Sequence, residues 1–307
     1  MKNILGRFFH FVEIQTKIAS VTPFFTGVFY ALYVYKKING KSTVFFFIAM
    51  LLFDMATTAI NNYIDARAAK TRVHFSNAVS LSIIVLFISV SAAIGLYLTF
   101  LHGIVVLFAG IICFGVGIFY TFGPAPISRT PYGEIFSGGV MGFLITFLAF
   151  FINTPENTFI EIRSLFPVIS IDIDVMTAVK LGLVSLPLVC GIANIMLANN
   201  ICDVDRDVKI SRFTLPYYIG SAKALRLFVI LYYVAYGSIL VSSVLRIIPV
   251  FCLLSLLSFI PVRKNIKLFE MRQIKSETFP LSGVNLLWIA IPYFLLIFAG
   301  CFIRSGV

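Results

Sequence analysis

Two stretches of this sequence gather oxygen ligands and cations at short, repeated spacing. The first runs Asn61-Asn62-Tyr63-Ile64-Asp65-Ala66-Arg67-Ala68-Ala69-Lys70-Thr71-Arg72. The second runs Asn199-Asn200-Ile201-Cys202-Asp203-Val204-Asp205-Arg206-Asp207-Val208-Lys209-Ile210-Ser211-Arg212. Each opens on Asn-Asn, continues through carboxylates and closes on basic residues. Asn61 and Asp65, Asn199 and Asp203, and Asp203 and Asp207 are each four apart, so on a helix each set shares a face. Two such rows facing each other would make a strongly negative site. Hard cations suit it, and Mg²⁺ takes one or two carboxylates together with substrate phosphates. Arg67, Lys70, Arg72, Arg206, Lys209 and Arg212 add complementary charge for a diphosphate. Together these groups can bind a diphosphate and activate it as a leaving group. Either cluster alone would equally suit the solvated border of a membrane helix. Their shared opening, and the shared side of the membrane derived below, favour a site.

The elements that must hold these rows are membrane helices. Of 307 residues, 60% are hydrophobic and only 12% are charged, against about 25% charged in a soluble domain. The formal charge of +11 would raise nucleic acid as a partner for a soluble protein. Here the basic residues cluster between apolar runs and set orientation instead, so lipid is the expected surroundings and nucleic acid is not expected. The five cysteines show no CxxC pairing and no histidine at metal-ligand spacing.

A helical crossing needs about 20 mostly apolar residues. Nine runs qualify, near 18–36, 43–62, 77–98, 103–122, 133–152, 177–200, 223–243, 246–262 and 284–304. The expected fold is an all-α, polytopic bundle of nine transmembrane helices around a central cavity, one domain over 1–307. Only a short break at Arg246 separates the seventh and eighth runs. Residues 1–20 read as an interfacial amphipathic segment rather than a cleaved signal.

Loop charges orient the bundle. With a cytoplasmic N-terminus, the inside loops hold Arg67, Lys70 and Arg72, then Arg263, Lys264, Lys267, Arg272 and Lys275. The long outside loop, 153–176, holds Glu156, Glu161, Asp172 and Asp174 against Arg163. That asymmetry is the positive-inside pattern, although Lys36, Lys37 and Lys41 run against it. Both clusters then face the cytoplasm from a multi-pass protein of the cell membrane. Asp54 and Asn194 are expected to face the cavity, and His74 and His102 to sit at interfaces. Lys180 and Arg246 are expected to snorkel.

The two clusters resemble the paired aspartate-rich motifs of the UbiA superfamily of intramembrane prenyltransferases, of the forms N-D-x-x-D-x-x-x-D and D-x-x-x-D. The second is intact at Asp203 and Asp207, while Asn62 and Ala69 stand where the first has carboxylates. A third segment, Tyr120-Thr121-Phe122-Gly123-Pro124-Ala125-Pro126-Ile127-Ser128-Arg129-Thr130-Pro131-Tyr132-Gly133-Glu134, would alone be a rigid inter-helix turn. Beside the two clusters it is similar to a stretch of MenA-type 1,4-dihydroxy-2-naphthoate prenyltransferases, with Arg129 where that branch often has Tyr.

The resemblance implies a Mg²⁺-dependent transfer of a polyprenyl group from its diphosphate to an aromatic acceptor. The acceptor it implies is 1,4-dihydroxy-2-naphthoate, giving demethylmenaquinol. It implies Asn61, Asp65, Asp203 and Asp207 as metal ligands, and Asp65, Asp203, Asp207 and Lys70 as the catalytic set. Substrates would meet Asn62, Arg67, Arg72, Tyr120, Arg129, Tyr132, Asn199, Asn200, Asp205, Arg206 and Lys209. Other acceptors (4-hydroxybenzoate, homogentisate or haem) stay open, as does a cation-coupled secondary transporter. A transporter tends to place polar groups on broken helices near the midplane. Carboxylates at span ends beside arginine and lysine favour phosphate chemistry.

Overall fold

Apolar runs in a bilayer must close their backbone hydrogen bonds internally, and this chain does so as helices. The computed structural model describes residues 4–68, 75–123, 126–156, 158–165 and 168–303. Helix α1 (Ile4–Phe11) exposes Ile4, Leu5 and Phe9, as an interfacial segment should. A 3₁₀ turn over Ile14–Lys17, entered through Glu13 at φ 47°, leads into α2 (Ile18–Tyr35). Then follow α3 (Gly40–Ala68), α4 (Asn77–His102) and α5 (Ile104–Thr121). The fifth rod joins α6 (Gly133–Phe136), a π-helical stretch over Ser137–Leu144 and α7 (Ile145–Phe151). The second half holds α8 (Val175–Lys209), α9 (Leu215–Ile219), α10 (Ser221–Val244), α11 (Phe259–Met271) and α12 (Pro280–Gly300).

Among the described residues, eight helices are long and apolar enough to cross a membrane. The run expected as a span at 246–262 is not one α-helix. Arg246 takes φ 55°, and Pro249 has no N–H and disfavours helix in the residue before it. The chain restarts as a 3₁₀ stretch over Val250–Ser258 that continues into α11. This piece still traverses the bundle. It leaves from Pro249, packed on Gly300 at the far end of α12, and delivers Lys275 to Asp203 at the opposite end.

The loop at 153–176 departs from the all-α expectation. Isoleucines alternate through Ile160 and Ile162, then Ile169, Ile171 and Ile173, the period of a strand. There β1 (Ile160–Leu165) pairs antiparallel with β2 (Val168–Ile173), with Ile160 opposite Ile173. Asp174 then caps α8, accepting from the N–H groups of Met176 and Thr177. The Thr177 hydroxyl also donates to it, which holds this carboxyl below its usual range.

Two helices are longer than a bilayer needs. At about 1.5 Å per residue, α3 reaches about 44 Å and α8 about 52 Å, against a hydrocarbon layer of about 30 Å. With each helix centred on that layer, the last turns bring Asp65, Arg67, Asp203 and Asp207 to its edge or beyond, and alternate crossing brings both ends to one side. The fifth rod fixes α8 through small residues. A Cβ on Gly142 would stand 2.6 Å from the Val189 Cα, so only glycine permits this approach. One buried core lies around α8, α10 and α12, with Leu188, Phe228, Tyr232 and Tyr293. A second lies around α2, α3 and α7, with Phe24, Phe46, Leu148 and Ala149.

Two polar residues expected to face a cavity serve the packing instead. Asp54 pairs with buried Lys17 at 2.7 Å and accepts from the Ser20 hydroxyl at 2.6 Å. Asn194, fully buried, donates to the Phe228 carbonyl at 3.0 Å. His102 meets the Ser42 hydroxyl at 2.7 Å, joining α4 to α3.

Candidate active site

The site is built on the last three turns of α8. Its four-residue spacing puts Asn199, Asp203 and Asp207 on one stripe, with Asn200 beside it. Asn200 and Asp207 are each 1% exposed and Asp203 7%. Burying carboxylates this deeply is costly unless they are paired or hold a cation. Partners arrive from three other segments.

Asp203 meets Lys275 from the α11–α12 loop, Nζ to Oδ2 at 2.6 Å, and Arg206 at 3.9 Å. The same ammonium donates to Asn199 Oδ1. Asp207 faces Arg212, with Nε 3.5 Å from Oδ2. That guanidinium also donates to the Ser128 carbonyl at 2.9 Å, and the Phe213 N–H donates to the Arg129 carbonyl at 3.2 Å. The proline-rich segment is thereby docked on the chain just after α8. Asn200 Nδ2 donates to Glu134 Oε1 at 2.9 Å from the first turn of α6. Glu134 is 5% exposed, and the π-helical stretch that follows it is a distortion common at functional sites.

Several oxygens here are buried with no hydrogen-bond partner among the described residues. They are both oxygens of Asp207, Asn200 Oδ1, Glu134 Oε2 and the Tyr120 hydroxyl. A buried acceptor left unpaired is destabilising, so a set of them around two carboxylates fits a hard cation, which takes oxygen ligands. No three His, Cys, Asp or Glu side chains gather as a metal cluster among the described residues.

The first cluster is tied to the second through the end of α5. The Thr121 hydroxyl donates to Asn61 Oδ1 at 3.5 Å. Its neighbour Tyr120 has its hydroxyl 3.3 Å from where a Gly133 Cβ would stand, and Asn200 Nδ2 lies 4.0 Å from that same point. Asn61, Tyr120, Gly133 and Asn200 therefore share one end of the bundle.

The other expected residues are placed differently. Asp65 and Arg67 are exposed on the last turns of α3. Asn62 turns away and donates to the Phe11 carbonyl at 3.0 Å, holding α1 to α3. Asp205, Arg206 and Lys209 are exposed on α8, while Arg129 and Tyr132 are exposed in the docked segment. Lys70 and Arg72 lie outside the described residues, as do Ala69 and His74.

Glu134 and Lys275 were not assigned to the site from sequence. Glu134 ends the third motif, which was a signal for it. Lys275 sits in a basic loop that reads as an orientation signal, and nothing local marks it.

Comparison with known proteins gives consistent relatives. Residues 20–279 match the UbiA prenyltransferase family. The chain is similar to 1,4-dihydroxy-2-naphthoate octaprenyltransferase of Bacillus subtilis (strain 168), 27% identical over 234 residues, or 72% of this chain and 68% of that one. Its fold is similar to the solved structure of a digeranylgeranylglyceryl phosphate synthase, with TM-score 0.67 and 16% identity over 97% of this chain and 98% of that one. It is also similar to a UbiA homolog from Archaeoglobus fulgidus bound to DMAPP and Mg²⁺, with TM-score 0.61 and 12% identity over 95% and 99% of the two chains.

Proposed function

The chain belongs to the UbiA prenyltransferase family, and from that premise we propose that it transfers a polyprenyl group from polyprenyl diphosphate to 1,4-dihydroxy-2-naphthoate. The products are diphosphate, CO₂ and a demethylmenaquinol. The observation that carries this reading is the buried row at the end of α8, with oxygens of Asn200 and Asp207 lacking hydrogen bonds and three cations within reach. The acceptor rests on the Bacillus subtilis relative and on the Tyr120–Glu134 segment.

Asp203 and Asp207, with Asn61 and Asp65, would hold Mg²⁺. When bound, the cation supplies positive charge that stabilises the departing diphosphate. Arg206 and Lys209 neutralise the same leaving group, joined in this proposal by Arg67 on α3 and by Lys70 and Arg72. Asn199, Asn200 and Asp205 would assist, directly or through water, Asn200 being itself fixed by Glu134. The allylic cation forms against apolar walls such as Phe53 and Phe114, stacked at 4.1 Å on α3 and α5. Tyr120 offers its unpartnered hydroxyl to the acceptor, with Arg129 and Tyr132 at the edge of its path. The electron-rich ring carbon attacks the cation, and the ring regains aromaticity as the carboxylate leaves as CO₂. In this reading the site faces the cytoplasm, where the basic loops lie.

The test is a membrane assay with radiolabelled polyprenyl diphosphate, Mg²⁺ and 1,4-dihydroxy-2-naphthoate, with and without EDTA. An EDTA-sensitive lipophilic product supports the reaction and the acceptor. Product only with another aromatic moves the protein to a different acceptor. No product with any acceptor sinks the reading.

A further inference from the structure

The α11–α12 loop aims one cation at the carboxylate row from a fixed backbone. The Thr278 hydroxyl donates to the Arg272 carbonyl at 2.8 Å and accepts from the Ile274 N–H at 3.0 Å. The N–H groups of Glu277, Thr278 and Phe279 all converge on the Ile274 carbonyl. Lys275 stands inside this stitched turn. Its ammonium lies 4.6 Å from the centre of the Phe279 ring, 2.6 Å from Asp203 Oδ2, and against Asn199 Oδ1.

The two partners differ in burial. The Asp203 side chain is 8% exposed and that of Lys275 is 41%. Moving the ammonium off Asp203 therefore leaves it hydrated, whereas Asp203 keeps only the longer contact to Arg206 at 3.9 Å unless another cation replaces the lysine. Lysine carries its charge on a flexible four-carbon stem, so the head can change partner while the turn stays in place. An arginine fork or a buried lysine would not exchange so freely.

Building on the active-site reading above, we propose that Lys275 is an exchangeable counter-ion of the site. It holds Asp203 and Asn199 in the empty enzyme and moves to a diphosphate oxygen when a divalent cation takes Asp203. The diphosphate-binding surface then includes the α11–α12 loop as well as the ends of α3 and α8. Metal and diphosphate binding become coupled through one side chain. The cation must displace the ammonium, and the diphosphate receives it.

Isothermal titration of the purified full-length protein in detergent tests this, with Mn²⁺ alone and then with inorganic pyrophosphate in the presence of Mn²⁺. In Lys275→Ala, Mn²⁺ alone should bind at least three-fold tighter, because the competing ammonium is gone. Pyrophosphate should bind at least ten-fold weaker. Lys275→Gln, which keeps a polar stem over Phe279, should give the same pair of shifts, and exposed Lys264→Ala should give neither. Mn²⁺ affinity that is unchanged or weaker in both Lys275 variants overturns the counter-ion role. Unchanged pyrophosphate affinity overturns the transfer to diphosphate. Wild-type protein that binds neither probe would instead overturn the active-site reading on which the proposal rests.

Discussion

Breaking the Lys17–Asp54 pair should be among the most destabilising single changes in the bundle. The Lys17 ammonium has three N–H donors, and all three are used. They reach Asp54 Oδ1 at 2.7 Å, the Asp54 carbonyl at 3.0 Å and the Thr58 hydroxyl at 2.6 Å. The Lys17 and Asp54 side chains are only 4% and 13% exposed. Lys17→Met removes the charge and leaves Asp54 with Ser20 alone, a loss of about 3–5 kcal/mol for a buried pair broken on one side. The double change Lys17→Met with Asp54→Leu should recover most of that. Replacing a whole buried pair with apolar groups is often neutral, and the neighbouring hydroxyls keep partners of their own. Ser20 donates to the Lys17 carbonyl at 2.9 Å and Thr58 to the Asp54 carbonyl at 3.0 Å, both backbone acceptors that survive. Unfolding in mixed micelles, followed by helical circular dichroism, should show a coupling of about 3 kcal/mol across the double-mutant cycle. A single variant within about 1 kcal/mol of wild type, or additive losses in the double, would refute the buried-pair argument. Thr58 stands one turn before Asn61, so the single variants should also lower turnover by loosening the end of α3.

Asp203→Asn and Asp207→Asn should each lower turnover by about 10²–10³-fold, the scale for losing one electrostatic stabiliser, with membrane insertion unchanged; near-normal turnover in both would remove them from the mechanism. Glu134→Ala strands the Asn200 amide and should reduce kcat/KM about 10- to 100-fold, matching about 1.5–3 kcal/mol for a hydrogen bond to a charged group. Glu134→Gln keeps an acceptor and should lose less, which a side-by-side assay of the two variants decides. Gly142→Val must push Val189 and α8 aside and should cost about 1–3 kcal/mol in the micelle titration. Gly139→Ala, in the same π-helical stretch with nothing within 4 Å of the added carbon, should be neutral.

The sequence showed most plainly what depends on length and local period. Apolar runs near 20 residues marked the eight long helices because lipid allows few other backbone solutions. The four-residue spacing of Asn199, Asp203 and Asp207 became one helical stripe because nothing interrupts α8 there. Alternating isoleucines in 160–173 held a strand signal that the strong helical background obscured, and Pro249 similarly held the reason for the broken span. What stayed hidden depends on contacts between distant segments. Glu134 meets Asn200 across 66 positions and Lys275 meets Asp203 across 72. No local pattern encodes either contact. Asp54 and Asn194 misled for the opposite reason: a polar residue inside a span signals function by default, yet each found a partner in the packing.

Unpartnered buried atoms separate site from scaffold once their neighbours are considered. Deep in the core around α8, α10 and α12, Asn194 Oδ1, Asn285 Nδ2 and the Tyr232 hydroxyl also lack hydrogen bonds. Tyr232 interacts with both amides, and its hydroxyl can donate to Asn194 Oδ1 and accept from Asn285 Nδ2, so the three need no ligand. At the end of α8 the orphans are acceptors, apart from the Tyr120 hydroxyl, which can donate to only one of them. The Asp207, Asn200 and Glu134 atoms are all oxygens of carboxylates or amides that can only accept while the acids are ionised, so they cannot satisfy each other. Only donors or a cation from outside the set can do so. Position agrees with this chemistry. If the roughly 52 Å of α8 is centred on a layer of about 30 Å, about seven residues project at each end. Asp203 and Asp207 then stand in the headgroup layer, where a hydrated diphosphate can reach them, while Asn194 stays within the apolar slab. The same helix thus carries a self-satisfied polar knot inside the membrane and, at its edge, a row of acceptors that Lys275, Arg206 and Arg212 satisfy only in part.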